Sequence, residues 1–299
     1  MAEQLKLGLI GMSEGNGHPY SWSAICNGYN EEAMSRCPFP AIPGYLFKEQ
    51  WPNAKIPDVS VTHVWTQDKQ ISKEIADAAL ISNVVKQPEE MIGQIDALLL
   101  ARDDAENHEV MAKPFLEAGI PVFIDKPLAL SVQSAQAMLD LQHYEGQLFS
   151  CSSFRYDDGL VLSEEEKEVF GQNPYIECVI PKYWDTYSVH LIEPVITSLP
   201  NRGKLLKCEA FKFDSIVKAH IYWENAHALI STFGTYAAPL EIDYYTNGQV
   251  LKKRHSDTFS AFKNSIVAFI DGVRNRTSPI PRAETLEIVE IIERIKTDA

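Results

Sequence analysis

The sequence predicts an α/β fold joined to an α+β one. A doubly wound parallel sheet comes first, followed by a domain with a mostly antiparallel open sheet and helices. Three observations predict it. From Leu5 to about residue 130, short apolar runs alternate with segments of helical period, the pattern of strands joined by crossover helices. The first run, Leu5 to Ile10, passes through a glycine-rich turn straight into a helix. From Lys204 onward, strand follows strand with tight turns, and Asn247-Gly248 marks a hairpin. With 299 residues, the chain fits two domains of roughly 150 residues each. The boundary is expected at 127/128, giving domains 1–127 and 128–299.

The first half is expected to run as follows. After the strand Leu5 to Ile10 comes Gly11-Met-Ser-Glu-Gly-Asn-Gly-His18, with Pro19 at a first helical position and Tyr20 to Tyr29 continuing as helix. In this context the backbone N–H groups of Gly11, Ser13, Gly15, Asn16, Gly17 and His18 can hold a pyrophosphate. The spacing is not G-x-G-x-x-G, and Glu14 puts a negative charge where a phosphate would lie; a plain tight turn is the other reading. Residues 35–58 carry five prolines and are expected as a long surface loop, with a lid as the alternative. A second strand, Val59 to Trp65, ends at Thr66 and Asp68. Asp68 can bond a ribose hydroxyl, which favours NAD over NADP, or cap the helix Ile71 to Leu80. Asn83 to Lys86, a helix Glu89 to Ile95, the strand Ala97 to Ala101 and a helix Asn107 to Ala118 follow. Asp103, Asp104, His108 and Glu109 read as capping and surface groups rather than metal ligands.

The next apolar run, Ile120 to Ile124, is stopped by Asp125-Lys126-Pro127. A charged pair and a proline cannot continue a central strand, so Lys126 sits at the carboxyl edge of the sheet, where ligands bind. A surface lysine in a turn is the bland alternative. A helix Ser131 to Tyr144 and a strand Gln147 to Phe154 lead to Arg155-Tyr156. The second informative stretch is Trp184-Asp-Thr-Tyr-Ser-Val-His-Leu-Ile-Glu-Pro194. On a helix, Thr186, His190 and Glu193 would share one stripe, and Pro194 would kink that helix or cut it in two. A histidine between a hydroxyl and a carboxylate suits proton transfer near neutral pH; a packed structural histidine competes with that reading.

Composition bounds the function. A formal net charge of −14 disfavours nucleic acid and anionic membrane as partners. No segment is apolar for long enough to span a bilayer. Five scattered cysteines lack metal or redox spacing, so reduced thiols in a cytoplasmic protein are expected.

The order of these parts resembles the Gfo/Idh/MocA family of oxidoreductases over nearly the full chain. The motif Pro114-Phe-Leu-Glu-Ala-Gly-Ile-Pro-Val-Phe-Ile-Asp-Lys-Pro-Leu-Ala129 is similar to the family's E-K-P segment, with Asp125 in place of glutamate. Asp96-Ala-Leu-Leu-Leu-Ala with His108, Phe154-Arg155-Tyr156, His190, and the run from Ile221 to Ile230 add to it. The resemblance implies a Rossmann-type nucleotide-binding domain and a nicotinamide-dependent dehydrogenase or reductase, using NAD or NADP on a sugar, nucleotide sugar or cyclitol. It maps the family lysine onto Lys126 and the family histidine onto His190, and implies a homodimer or homotetramer. Two departures stand out: the glycine fingerprint is altered, and Thr186 replaces a common aspartate. Some relatives on this fold are dinucleotide- or sugar-sensing proteins without turnover, which is the alternative. The expected chemistry gives Lys126 a hydrogen bond to the substrate oxygen and His190, aided by Glu193 or Thr186, the hydroxyl proton. Arg102, Asp103 and Asp125 border the cofactor; Arg155, Tyr156, Tyr183 and Tyr187 are candidates for holding a polyol.

Overall fold

The computed structural model describes residues 4–298. Two compact units share the chain. One takes the described residues up to Leu128, then Gln136–Ser150 and Ile266–Arg282; the other takes Ala129–Ala135, Cys151–Ser265 and the residues from Ala283 on.

In the first unit the elements are β1 (Leu5–Ile10), α1 (His18–Asn27), α2 (Glu31–Ser35), α3 (Ala41–Leu46), β2 (Val59–Trp65), α4 (Lys69–Ala78), β3 (Asn83–Val84), β4 (Ala97–Leu100), α5 (His108–Glu117) and β5 (Val122–Ile124). After α6 (Val132–Asp140), β6 (Leu148–Ser150) completes a six-stranded parallel sheet of order β3-β2-β1-β4-β5-β6. Every residue of β4 and β5 is buried, as a parallel sheet covered on both faces requires. The sheet order reverses between β1 and β4, so their carboxyl ends open the crevice that doubly wound sheets use for ligands.

Three expectations for this unit are corrected. Residues 35–58 are not a plain loop: α3 forms within them, and Ile42, Leu46, Ala54 and Ile56 are buried. Their apolar side chains gave them something to pack on, and the Tyr45 hydroxyl donates to Ser21 Oγ of α1 at 2.5 Å. The helix expected from Glu89 is a single 3₁₀ turn, Pro88–Met91, that stops before Gly93 with its φ of 82°. The strand expected from Gln147 pairs only over Leu148–Ser150. Beyond it the Ser152 hydroxyl accepts the Phe154 N–H and turns the chain into a 3₁₀ turn, Ser153–Tyr156.

The second unit holds α7 (Glu164–Phe170), β7 (Tyr175–Ile180), α8 (Trp184–Tyr187), α9 (Val189–Ser198), β8 (Leu205–Phe213), β9 (Ile216–Trp223), β10 (Ala226–Thr232), β11 (Glu241–Thr246) and β12 (Gln249–Arg254). Its sheet runs β12-β11-β7-β10-β9-β8, antiparallel except where β7 meets β10. The Asn247-Gly248 turn joins β11 to β12, with Gly248 at φ 100°. The inner faces of these strands pack on α9 and on Ile288, Ile291, Ile292 and Ile295 of α11 (Arg282–Asp298). Helix α10 (Thr258–Asn275) is divided between the units at Ser265/Ile266. In the first unit its Phe269 lies 5.6 Å from Phe123 and 5.9 Å from Phe149, ring centre to ring centre. Among the described residues no helix is long and apolar enough to cross a membrane. All five cysteines are buried and none is in a disulfide.

Candidate functional site

In the first unit a polar cluster gathers at the carboxyl ends of β1, β2, β4 and β5. Lys126 is 4% exposed, directly after β5, and its Nζ lies 3.4 Å from Asp103 Oδ2. Asp103 is fixed in turn: it accepts from Ser13 Oγ at 2.5 Å and its own N–H donates back to that oxygen at 3.1 Å. Asp125 is 1% exposed and ties down the glycine turn. Its Oδ2 accepts from Asn16 Nδ2 at 2.8 Å and meets His18 Nδ1 at 2.5 Å, while Oδ1 accepts the Lys126 N–H. Burial alone would raise the Asp125 carboxyl, yet the charges of His18 and Lys126 and these hydrogen bonds hold it well below the usual carboxylate range.

Arg102 is 7% exposed. It forks onto the Asp104 carboxylate and donates to Met12 O at 3.1 Å and Gln67 Oε1 at 3.0 Å. Gln67 also accepts the Met12 N–H and donates to Met12 O. The sequence reading did not single out Gln67, and no spacing points to it. Asp68 takes the capping alternative, accepting from Gln70 N at 2.7 Å at the start of α4, and Thr66 bonds inside the same turn. His108 is not the surface group expected: it is buried, bonded between Arg102 O and Leu128 O because the end of β4 and the segment after β5 close over it, a packing role.

The turn bears on dinucleotide binding. A Cβ on Gly11 would meet Pro19 at 2.6 Å, and one on Gly17 would meet Ile42 and Phe39 at 2.6 and 2.7 Å. These two glycines serve close packing of turn and helix. Gly15 differs: its φ is 76° and a Cβ there would meet nothing within 4 Å, so backbone is presented in open space. The first turn of α1 offers few donors, because Asn16 Oδ1 accepts the His18 N–H and Pro19 has none. The residues therefore fit a dinucleotide at the Gly15 turn and beside Lys126, with fewer backbone donors than a glycine fingerprint supplies.

The second unit carries its own cluster. His190 is 8% exposed, and its Nδ1 lies 2.6 Å from Ser152 Oγ. Phe154 and Tyr187 flank the ring at 4.9 and 5.1 Å. Glu193, 2% exposed, accepts the Ser152 N–H at 2.7 Å and meets Arg155 at 3.4 Å. Burial pushes its carboxyl up to about 7, against the pull of Arg155. Arg155 also pairs with Glu284. The hydroxyl beside His190 is thus Ser152's, while Thr186 sits on α8. The helix pauses at Ser188, whose carbonyl accepts from both Leu191 and Ile192 at 2.9 Å, and Pro194 lies inside α9. Ser152 was missed because 38 positions, with α7, β7 and α8 among them, separate it from His190; its only signal was adjacency to Phe154-Arg155-Tyr156.

The polyol candidates separate. Tyr187 touches His190, Tyr156 is half-buried with its hydroxyl pushed up by burial, and Arg155 is committed to carboxylates. Tyr183 is 54% exposed and lines a surface cavity of about 370 Å³ with Trp184, Lys212 and Lys296. Phe154 also touches His255, which pairs with Asp157 and lies 2.8 Å from Thr258 Oγ1. Among the described residues no group of three or more His, Cys, Asp or Glu side chains could hold a metal ion.

Comparison with known proteins adds the following. Residues 43–152 match the model of the oxidoreductase family, NAD-binding Rossmann fold, a span that begins after the altered glycine turn. No curated protein sequence matches the chain. Among solved structures, it is similar to GenD2 from gentamicin A biosynthesis in complex with NAD (TM-score 0.73, 14% identity, 100% of this chain and 95% of that one). It is similar to myo-inositol 2-dehydrogenase from Lactobacillus plantarum (0.70, 12%, 99% and 97%). A third is UDP-N-acetylglucosamine 3-dehydrogenase GnnA from Acidithiobacillus ferrooxidans (0.71, 11%, 99% and 97%). At these identities the structures speak for the fold. The resemblance to the Gfo/Idh/MocA oxidoreductases holds: residues 43–152 match that family's Rossmann domain, and the chain as a whole has its fold.

Proposed function

We propose that this protein is a nicotinamide-dependent dehydrogenase or reductase acting on a hydroxyl or carbonyl of a sugar, nucleotide sugar or cyclitol. The observation that carries the reading is Lys126, a buried amine held beside Asp103 at the carboxyl edge of the parallel sheet. Such an amine can stabilise the alkoxide-like charge on a substrate oxygen. His190, framed by Ser152, Phe154 and Tyr187, gives or takes the hydroxyl proton. Tyr187 and Tyr156 are the polyol contacts we favour. When bound, the nicotinamide supplies the hydride. Ser13, Gly15, Asn16, Asp103 and Lys126 border it in this reading. NAD is proposed over NADP, because Asp68, shortly after β2, puts a carboxylate where the further phosphate on the adenosine ribose would be repelled. We also propose a cytoplasmic homodimer or homotetramer, from five buried cysteines outside any disulfide and the family resemblance.

Titration of the protein with NADH and NADPH, read by nicotinamide fluorescence and followed by a screen of cyclitols and sugars, tests the reading. NADH should bind more tightly, and Lys126→Ala should keep the fold while losing about 10²- to 10³-fold in kcat. Binding without turnover on any substrate would favour the sensing role. No response to either cofactor would end the oxidoreductase reading.

A further inference from the structure

Ser152 is fully buried, and its hydroxyl has a defined set of neighbours. Oγ accepts the Phe154 N–H at 3.2 Å and stands 2.6 Å from His190 Nδ1. The serine is itself pinned, since Glu193 Oε1 accepts its N–H at 2.7 Å and Arg155 holds the other carboxylate oxygen. Phe154 N can only donate. Among the described residues, Nδ1 is the acceptor within hydrogen-bond distance of this hydroxyl. If Nδ1 carried the proton of a neutral ring, Oγ would receive two donors and its own buried proton would have no acceptor, an arrangement that folded proteins avoid.

We propose that Ser152 is a positioning residue for His190, holding the neutral ring in the Nε2–H tautomer with Nδ1 accepting from the serine hydroxyl. The proposal rests on the reading of His190 as the proton-transfer group and assigns it a partner. The consequence is chemical. The resting ring points an N–H, not a lone pair, from Nε2. When the ring takes up a second proton at Nδ1, the same hydroxyl turns and accepts from Nδ1–H in a charge-assisted bond, so the imidazole keeps its orientation in both charge states. A carboxylate at this position would accept only and would favour the opposite tautomer. A hydroxyl serves both states.

The test is ¹⁵N NMR of the histidine side chains in the full-length protein, with the His190 signals identified by their loss in His190→Gln. In the neutral ring the expected pattern is a pyridine-type Nδ1 and a pyrrole-type Nε2. Ser152→Ala should lose that pattern, and Ser152→Thr, which keeps the hydroxyl, should restore it. In turnover, Ser152→Ala should lower kcat about tenfold with KM nearly unchanged, and Ser152→Thr should recover most of it. A protonated Nδ1 in the neutral wild-type ring would overturn the proposal even if no variant folded. So would a tautomer pattern unchanged in Ser152→Ala. The spectrum needs no substrate, so an inactive wild type would remove the oxidoreductase reading while the tautomer still decides the role of Ser152.

Discussion

Replacing Glu193 by glutamine removes a carboxyl that is 2% exposed and sits between the Ser152 N–H and Arg155. Burial moves its pKa from 4.5 to about 7. A rise of that size corresponds to about 3 kcal/mol. The folded chain binds this proton more tightly than the unfolded chain does. Stability is therefore greatest below 4.5, falls as pH rises through the interval up to about 7, and the full penalty is present above it. Other groups do not mimic this. Asp104, Asp157 and Glu166 are held below their usual values, so they act at lower pH. Burial lowers His63 and His227, which gives the opposite slope and is common to both proteins. Urea unfolding of wild type and Glu193→Gln, at about pH 4.5 and about pH 8, isolates the group. The wild type should lose about 3 kcal/mol more than the variant over that range. Parallel pH profiles would refute the assignment of a buried, proton-loving carboxyl.

Gly17→Ala places a Cβ 2.6 Å from Ile42 and 2.7 Å from Phe39; a loss of about 1–3 kcal/mol is expected from overpacking, read by the urea midpoint. Phe269→Ala removes a buried ring packed on Phe123 and Phe149 and should cost about 3–5 kcal/mol. An unchanged midpoint would mean that the middle of α10 is not part of the first unit's core. Asp125→Ala leaves the Asn16 amide without its carboxylate and should cost about 1–3 kcal/mol near neutral pH. Because the wild-type carboxyl is held below its usual 3.8, its stabilisation is present above that value and is lost as pH falls further, so wild type and variant should converge in strong acid.

Most elements were legible in the sequence for local reasons. The strands Leu5–Ile10, Val59–Trp65 and those from Leu205 on show their periodicity within a few residues, and glycine and proline mark their ends. Residues 35–58 were misread because prolines announce a loop, whereas the burial of Ile42 depends on Gly17 making room for it. Lys126 was readable at the sheet's carboxyl edge, since the proline after it limits the strand. Its pairing with Asp103 across β4 and β5 was not.

The sequence by itself determined the alternation of strand and helix, the change to consecutive strands after residue 204, and the placing of an amine and an imidazole at element ends. These follow from side-chain period and backbone chemistry, which act over a few residues. Tertiary structure alone decided that Asp125 anchors the glycine turn through Asn16 and His18, that Gln67 and Arg102 clasp Met12, and that Ser152 rather than Thr186 meets His190. The residues of each such set lie in different elements, and a hydrogen bond of 2.6 Å between positions 152 and 190 leaves no trace in local pattern; it exists only once packing has fixed both backbones.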